Sequence, residues 1–346
     1  MVQGRPSVGT VPALKIHDPS LPARAVRTGD LRCAAGMVIV GASFVASAAL
    51  GGFPVLGGQA VRYAVAALVL LAVLAWRRVP WVLPSARALL RLAALAATGL
   101  VGFSVLVVEG ASRADPSLVG AVVGASPVVL AVATALRTRR VAARTVLAAA
   151  VVTGGVVLVE GGGSGDPVGV AVALGALGCE VCFSLLAVPL LPALGALRVS
   201  AYACVLAVPQ LALLGLLAPG PFLAVPNATE LGALAYLAVV VTAVAFLLWY
   251  AGLAVIGPAR AGLFAGLLPV SALVVSVALG FEDLAATSAL GTLVVGCGLV
   301  LGLRAPTRGG HPDVRASARR TKVRAHRTSG TGRAAPDDTE RLPWRS

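Results

Sequence analysis

Three charged side chains fall inside long apolar runs of this 346-residue chain, and they are its first candidates for chemistry. Glu180 sits in Gly-Cys-Glu-Val-Cys near the middle of one run. Arg62 opens Arg-Tyr-Ala-Val-Ala-Ala-Leu in another, and Glu109 stands close to the end of a third. A charge at the centre of a membrane helix costs about 2.5–3.5 kcal/mol on insertion scales, so residues of this kind are functional candidates by default. A carboxyl held in a dry cavity can bind a cation, or load and release a proton. Glu180 is the candidate for that role, against the plainer one of hydrogen-bonding a neighbouring helix. Arg62 can attract an anionic group. It can equally pair with Glu109 at a similar depth, or extend its head toward the membrane surface.

Other chemistries are poorly supplied. The histidines are His17, His311 and His326, all outside the apolar runs. Cys179 and Cys182 form a C-x-x-C with no second pair or His cluster to complete a metal site, so the five cysteines read as small apolar helix residues. Gly161-Gly-Gly-Ser-Gly165 lacks the lysine of a nucleotide-binding loop. No catalytic residue, metal or cofactor is expected.

The elements that must position Glu180 and Arg62 are membrane helices. The chain is 58% hydrophobic and 12% charged, with a mean hydropathy of +0.93. Soluble domains carry roughly 25% charged residues. Ten apolar segments, each near the roughly 20 residues that span a bilayer core, lie at about 33–50, 55–76, 92–110, 116–136, 145–161, 167–189, 199–218, 231–253, 258–280 and 285–303. The net charge of +14 raises the question of nucleic acid, but position answers it: 5 of the 28 Lys and Arg lie in residues 1–32 and 11 in residues 304–346. The rest border the apolar runs, as charges that set membrane topology do. No nucleic acid partner is expected.

With the N-terminus cytoplasmic, the inner loops carry Arg77, Arg78, Arg87, Arg91, Arg137, Arg139, Arg140, Arg144, Arg198 and Arg260, and the outer loops only Arg113. Both termini are therefore expected in the cytoplasm of a bacterium, whose GC-rich coding fits a chain with only Lys15 and Lys322 as lysines. Trp76, Trp249 and Tyr250 read as interfacial anchors. Ser43, Gln59, Tyr63, Ser104, Gln210 and Ser271 are polar groups able to line a cavity.

The chain repeats at an offset of 142 residues. Leu92 and Leu95 meet Leu234 and Leu237, Pro116 meets Pro258, and Gly120, Gly124 and Pro127 meet Gly262, Gly266 and Pro269. Five helices per repeat is an odd number, so the second half must be inverted relative to the first. Arg140 falling on Glu282 fits loops facing opposite sides. The Gly-x-x-x-Gly pairs let helices four and nine approach their partners closely. The prolines three residues later remove a backbone donor and can kink the helix, which suits packing and equally suits a moving pathway wall.

These features resemble the EamA family of the drug/metabolite transporter superfamily, over about 33–303. The carriers are Gly41-Ala-Ser-Phe44, the Arg62 stretch, Gly120 to Pro127, Gly262 to Pro269 and Gly280-Phe281-Glu282. Arg140 departs from the pattern where the family often has Glu. The expected fold class is all-α integral membrane, ten transmembrane helices as two inverted five-helix repeats. A basic tail (1–32) precedes repeats at 33–161 and 167–303, and a basic disordered tail (304–346) follows. The resemblance implies a secondary transporter, commonly an exporter of amino acids or related metabolites, working by alternating access with helices four and nine bordering the route. The alternative class is a membrane-embedded enzyme acting on a lipid-linked substrate. Expected partners are a small-molecule substrate, the lipid bilayer and protons, with room for a homodimer.

Overall fold

A computed structural model describes residues 22–43, 46–47, 49–138, 142–161, 164–281 and 283–304. Arg139, Arg140 and Glu282, Phe44 and the expected C-terminal tail from residue 305 onward lie outside the described residues, as does the N-terminal tail through residue 21. We number the long helices α1 (Ala23–Ala42), α2 (Val55–Trp76), α3 (Ala86–Leu95 and Phe103–Arg113, joined by a π-helical stretch), α4 (Pro116–Val123 and Ser126–Thr138) and α5 (Ala143–Glu160). The second set is α6 (Pro167–Ala187), α7 (Leu191–Leu217), α8 (Ala228–Tyr236 and Ala245–Ile256, again joined by π-helix), α9 (Pro258–Leu263 and Leu267–Ala278) and α10 (Ala286–Leu303). Among the described residues, α2 to α10 are nine helices long and apolar enough to cross a membrane. The first helix begins at Ala23, ten residues before the expected apolar run, and its opening turns carry Arg24, Arg27, Asp30 and Arg32. That polarity keeps α1 out of the nine.

Local chemistry sets the starts and stops. Asp166 caps α6 by accepting from the Gly169 amide, with Pro167 at the first helical position. Asn227 and Glu230 form a capping box at the start of α8. Gly257, at φ 75°, turns the chain sharply between α8 and Pro258 of α9. The prolines act as expected. α4 breaks at Gly124 and Ala125, just before Pro127, and α9 passes through a 3-10 turn, Phe264–Gly266, just before Pro269. The π-helical stretches, Ala96–Gly102 and Leu237–Val244, were not foreseen. They occupy equivalent positions in the two repeats.

Packing follows the repeat. α5 and α10 run antiparallel along a glycine seam. A Cβ on Gly155 would lie 2.7 Å from the Val295 amide nitrogen, one on Gly291 2.6 Å from the Val159 nitrogen, and one on Gly298 2.9 Å from the Val152 nitrogen. In lipid, where solvent cannot drive helices together, such backbone approach gives the van der Waals packing that contributes to association. α1 pairs with α8 through Gly29 against Ile256 and Gly252 against Cys33 and Gly29. α6 pairs with α3 through Gly169 against Ala114 and Gly110 against Val172. Each repeat thus lends its first helix to the other repeat's third.

One end of the bundle gathers the arginines. There Arg260 makes two 2.8 Å bonds to the Asp30 carboxylate, Arg198 donates to the Pro80 carbonyl at 2.6 Å and Arg144 to the Arg304 carbonyl at 3.4 Å. The opposite end brings together Ala114 and Gly165 in an antiparallel bridge, beside Asp115 and Ser164.

Candidate functional site

A cavity of about 290 Å³ lies between the repeats. Its walls come from the second half of α1 (Gly36 to Ser43, continuing to Ser47), the first turns of α2 (Gln59, Arg62, Tyr63), the middle of α3 (Gly99 to Val108), α6 (Glu180, Phe183) and the middle of α8 (Val241 to Trp249). α9 adds Leu268. The cavity therefore runs from the bundle's midpoint toward the end opposite the arginines, where Ser47 and Val108 are exposed. In its wall toward the arginine-rich end, Phe183 meets Phe246 and Tyr250 in tilted ring contacts with centroids 5.1 and 5.0 Å apart. Gly99 allows this, because a Cβ there would meet the Phe183 Cβ at 2.6 Å.

Glu180 and Arg62, expected from sequence, come together on this one cavity, contributed by helices of different repeats. Glu180 has no hydrogen-bond partner among the described residues. The Arg62 Nε donates to the Thr242 Oγ1 at 2.7 Å, and the Thr242 hydroxyl donates in turn to the Leu237 carbonyl at 2.9 Å. Neither terminal guanidinium nitrogen of Arg62 has a partner among the described residues. The Arg62–Glu109 pair is not formed. Glu109 bonds Arg113 one turn along its own helix, both side chains are nearly half exposed, and neither touches the cavity.

Of the polar candidates, Ser43, Gln59, Tyr63 and Ser104 line the cavity. Gln210 instead donates to the Ala93 carbonyl at 3.2 Å, and Ser271 to the Leu268 carbonyl at 3.0 Å. Trp76 is exposed, as an interfacial anchor should be, but Trp249 and Tyr250 are buried at 3% and 0%. α8 runs on to Ile256, which sets both rings inside the bundle rather than at its rim. Trp249 joins the cavity wall, and its indole Nε1, like the Gln59 Oε1, is buried without a partner among the described residues. A donor and an acceptor buried without partners are costly.

The six Gly and Pro candidates do not line the cavity. Gly124 and Gly266 lie against Val156 and Val152 of α5, Gly120 against the Glu160 carboxylate and Gly262 against Leu130 of α4, while Pro127 and Pro269 are buried. The four glycines allow close approach to their neighbours. Thr242 was missed by sequence reasoning, since a lone threonine in an apolar run gives no signal. Its one clue is that the 142-residue offset aligns it with Leu100, a change from apolar to polar.

At the end opposite the arginines, the Ser164 amide and hydroxyl donate to Asp115 at 2.8 and 2.9 Å, and these bonds hold its carboxyl below the usual aspartate range.

No curated protein matches this chain. A solved structure, described only as the crystal structure of a protein, aligns with a TM-score of 0.70 at 18% identity, over 82% of this chain and 99% of its own, which shows a shared fold. The model of the EamA-like transporter family matches twice, over residues 27–161 and 168–304, the two repeats that the glycine and proline spacing delimits. The chain belongs to that family, and is a multi-pass membrane protein of the drug/metabolite transporter type.

Proposed function

We propose that the chain is a secondary transporter that exports a small metabolite, an amino acid or a related compound, by alternating access. The observation that carries this is the placement of Glu180 and Arg62, from opposite repeats, on one cavity with unfilled polar capacity. A cavity of about 290 Å³ suits a single small solute, at the lower end of ligand-site volumes. The architecture we infer is ten transmembrane helices in two inverted five-helix repeats. The antiparallel run of α5 and α10 supports it, because equivalent helices of parallel repeats would run the same way. The charge bias of the loops supports a cytoplasmic position for the arginine-rich end and for both termini, in the bacterial cell membrane that we propose as the location.

In this reading the structure is the outward-facing state. The cytoplasmic end is held by Asp30 and Arg260, and the cavity extends toward the outside. The breaks in α4 and α9 and the π-helical stretches of α3 and α8 are where the halves bend as they rock. Glu180 is the coupling group, carrying a proton or a substrate cation in one direction of the cycle.

The test is purified protein in liposomes, assayed for counterflow of labelled amino acids with and without a pH gradient. Movement that a pH gradient drives in wild type and not in Glu180→Gln is the expected result. A solute flux indifferent to pH and to this substitution would contradict the coupling role, and no flux of any amino acid or related metabolite would contradict the substrate reading.

A further inference from the structure

We infer that Thr242 is a positioning residue that turns Arg62 into a two-pronged anchor for a carboxylate on the substrate; the inference rests on the transporter reading of the cavity. The Thr242 side chain is fully buried and both of its hydrogen-bonding capacities are used in a fixed sense. Its hydroxyl proton goes to the Leu237 carbonyl, and its lone pair receives the Arg62 Nε–H. The threonine therefore occupies the one guanidinium nitrogen that a carboxylate approaching head-on does not need. Arg62 is part of the cavity wall, its guanidinium carbon lies 5.6 Å from the Tyr63 ring centroid, and its two terminal nitrogens have no hydrogen-bond partner among the described residues. Their parallel N–H bonds match the two oxygens of a carboxylate, a geometry a lysine cannot reproduce.

The internal repeat supplies a control. At the 142-residue offset the counterparts of Arg62 and Thr242 are Cys204 and Leu100, both fully buried and apolar. The same helix pairs are thus built in the other half without an arginine or a hydroxyl, so the fold does not require this bond. The bond also ties the ligand site to the π-helical stretch of α8, since Thr242 closes on Leu237 within it. Glu180 lines the same cavity and supplies a carboxyl that can receive an ammonium group, and the Phe183, Phe246 and Trp249 rings line part of the rest. The class this selects is a zwitterion with an apolar side chain. A bare amine and an uncharged amide of the same skeleton are both excluded.

The experiment measures ligand-induced thermal stabilisation of the purified full chain in detergent. The probes are apolar amino acids, each beside its amide and its decarboxylated amine, with wild type, Thr242→Val, Thr242→Ser and Arg62→Lys compared. Wild type is expected to be stabilised by amino acids and not by the matching amides or amines. Thr242→Val should weaken amino-acid binding about tenfold or more, the scale of a lost hydrogen bond to a charged group, and should compress the preference for acid over amide. Thr242→Ser should restore both, and Arg62→Lys should not. A merely structural threonine would lower the unliganded melting temperature and leave the acid-to-amide preference intact. That outcome overturns the inference, as does stabilisation by amides equal to that by acids, or by no carboxylate in the panel. Stabilisation by amino acids with no flux in liposomes would instead sink the transporter reading and leave the anchor standing.

Discussion

At the arginine-rich end, Asp30 and Arg260 lock α1 to α9, and Arg198 reaches across to the Pro80 carbonyl. At the opposite end the 142-residue offset places Leu118 where Arg260 stands and Phe222 where Pro80 stands. There the closures are apolar and tight: Leu118 packs by Gly165, and Gly57 lies directly beneath the Phe222 carbonyl. The duplicated frame is the same, with small residues letting α1 meet α8 and α6 meet α3. The fastening differs. Charged latches can be undone and remade at modest cost, whereas glycine contacts depend on backbone fit, so a two-state cycle built on one frame can favour a different end in each state.

The frame itself should be the most fragile part. Gly155→Ala puts a Cβ 2.7 Å from a backbone nitrogen of α10 and should destabilise the fold by several kcal/mol, read as loss of monodisperse protein in detergent. Its neighbour Gly154 faces open space, so Gly154→Ala should be neutral or stabilise by up to about 1 kcal/mol. If both behave alike, the seam is not what holds α5 to α10.

The latch comes next. Asp30 and Arg260 are each 14% exposed, so Asp30→Asn should cost roughly 1–3 kcal/mol by leaving a largely buried guanidinium without its counter-charge. The exchange of Asp30→Arg with Arg260→Asp should recover a good part of that in thermal unfolding. Arg198→Ala removes a more exposed charged donor and should cost about 1 kcal/mol or less.

The smallest effect belongs to Asp115. Its carboxyl is held below the ordinary aspartate range, so its bonds to Ser164 stabilise the fold above that range and are lost as pH falls through the lowered value. A wild-type pH–stability curve should therefore fall slightly more steeply in acid than that of Asp115→Asn. Identical curves would mean that the Ser164 bonds do not persist in solution.

Much of this was legible in the sequence, because lipid leaves few choices. Among the described residues, nine of the ten expected segments coincide largely with helices long and apolar enough to cross a membrane, and Arg62 and Glu180 stand out since an apolar run makes a charge conspicuous. α1 begins before its apolar run because Arg24 to Arg32, which look like a polar tail in sequence, form its opening turns. The Asp30 latch is hidden among them, although Arg260 is visible. Glu109 pairs with Arg113 one turn away rather than with Arg62, and depth alone does not show which face a side chain takes. Thr242 and the π-helical stretches were hidden. A π turn adds one residue to a helix without changing its hydropathy, and a threonine in Val-Val-Val-Thr-Ala reads as one more apolar-run residue until Arg62 is seen against it.

The most direct test of the central claim, a carrier held shut at its cytoplasmic end and reached from outside, is labelling of single-cysteine variants by a membrane-impermeant maleimide in right-side-out and inverted vesicles. Ser47→Cys, at the exposed rim of the cavity, should react from the outside only, and Cys33, buried beside the latch, from neither face. In Asp30→Asn, Cys33 should become reactive from the cytoplasmic face. Reaction of Ser47→Cys from the cytoplasmic face, or of Cys33 from the outside, would contradict the account.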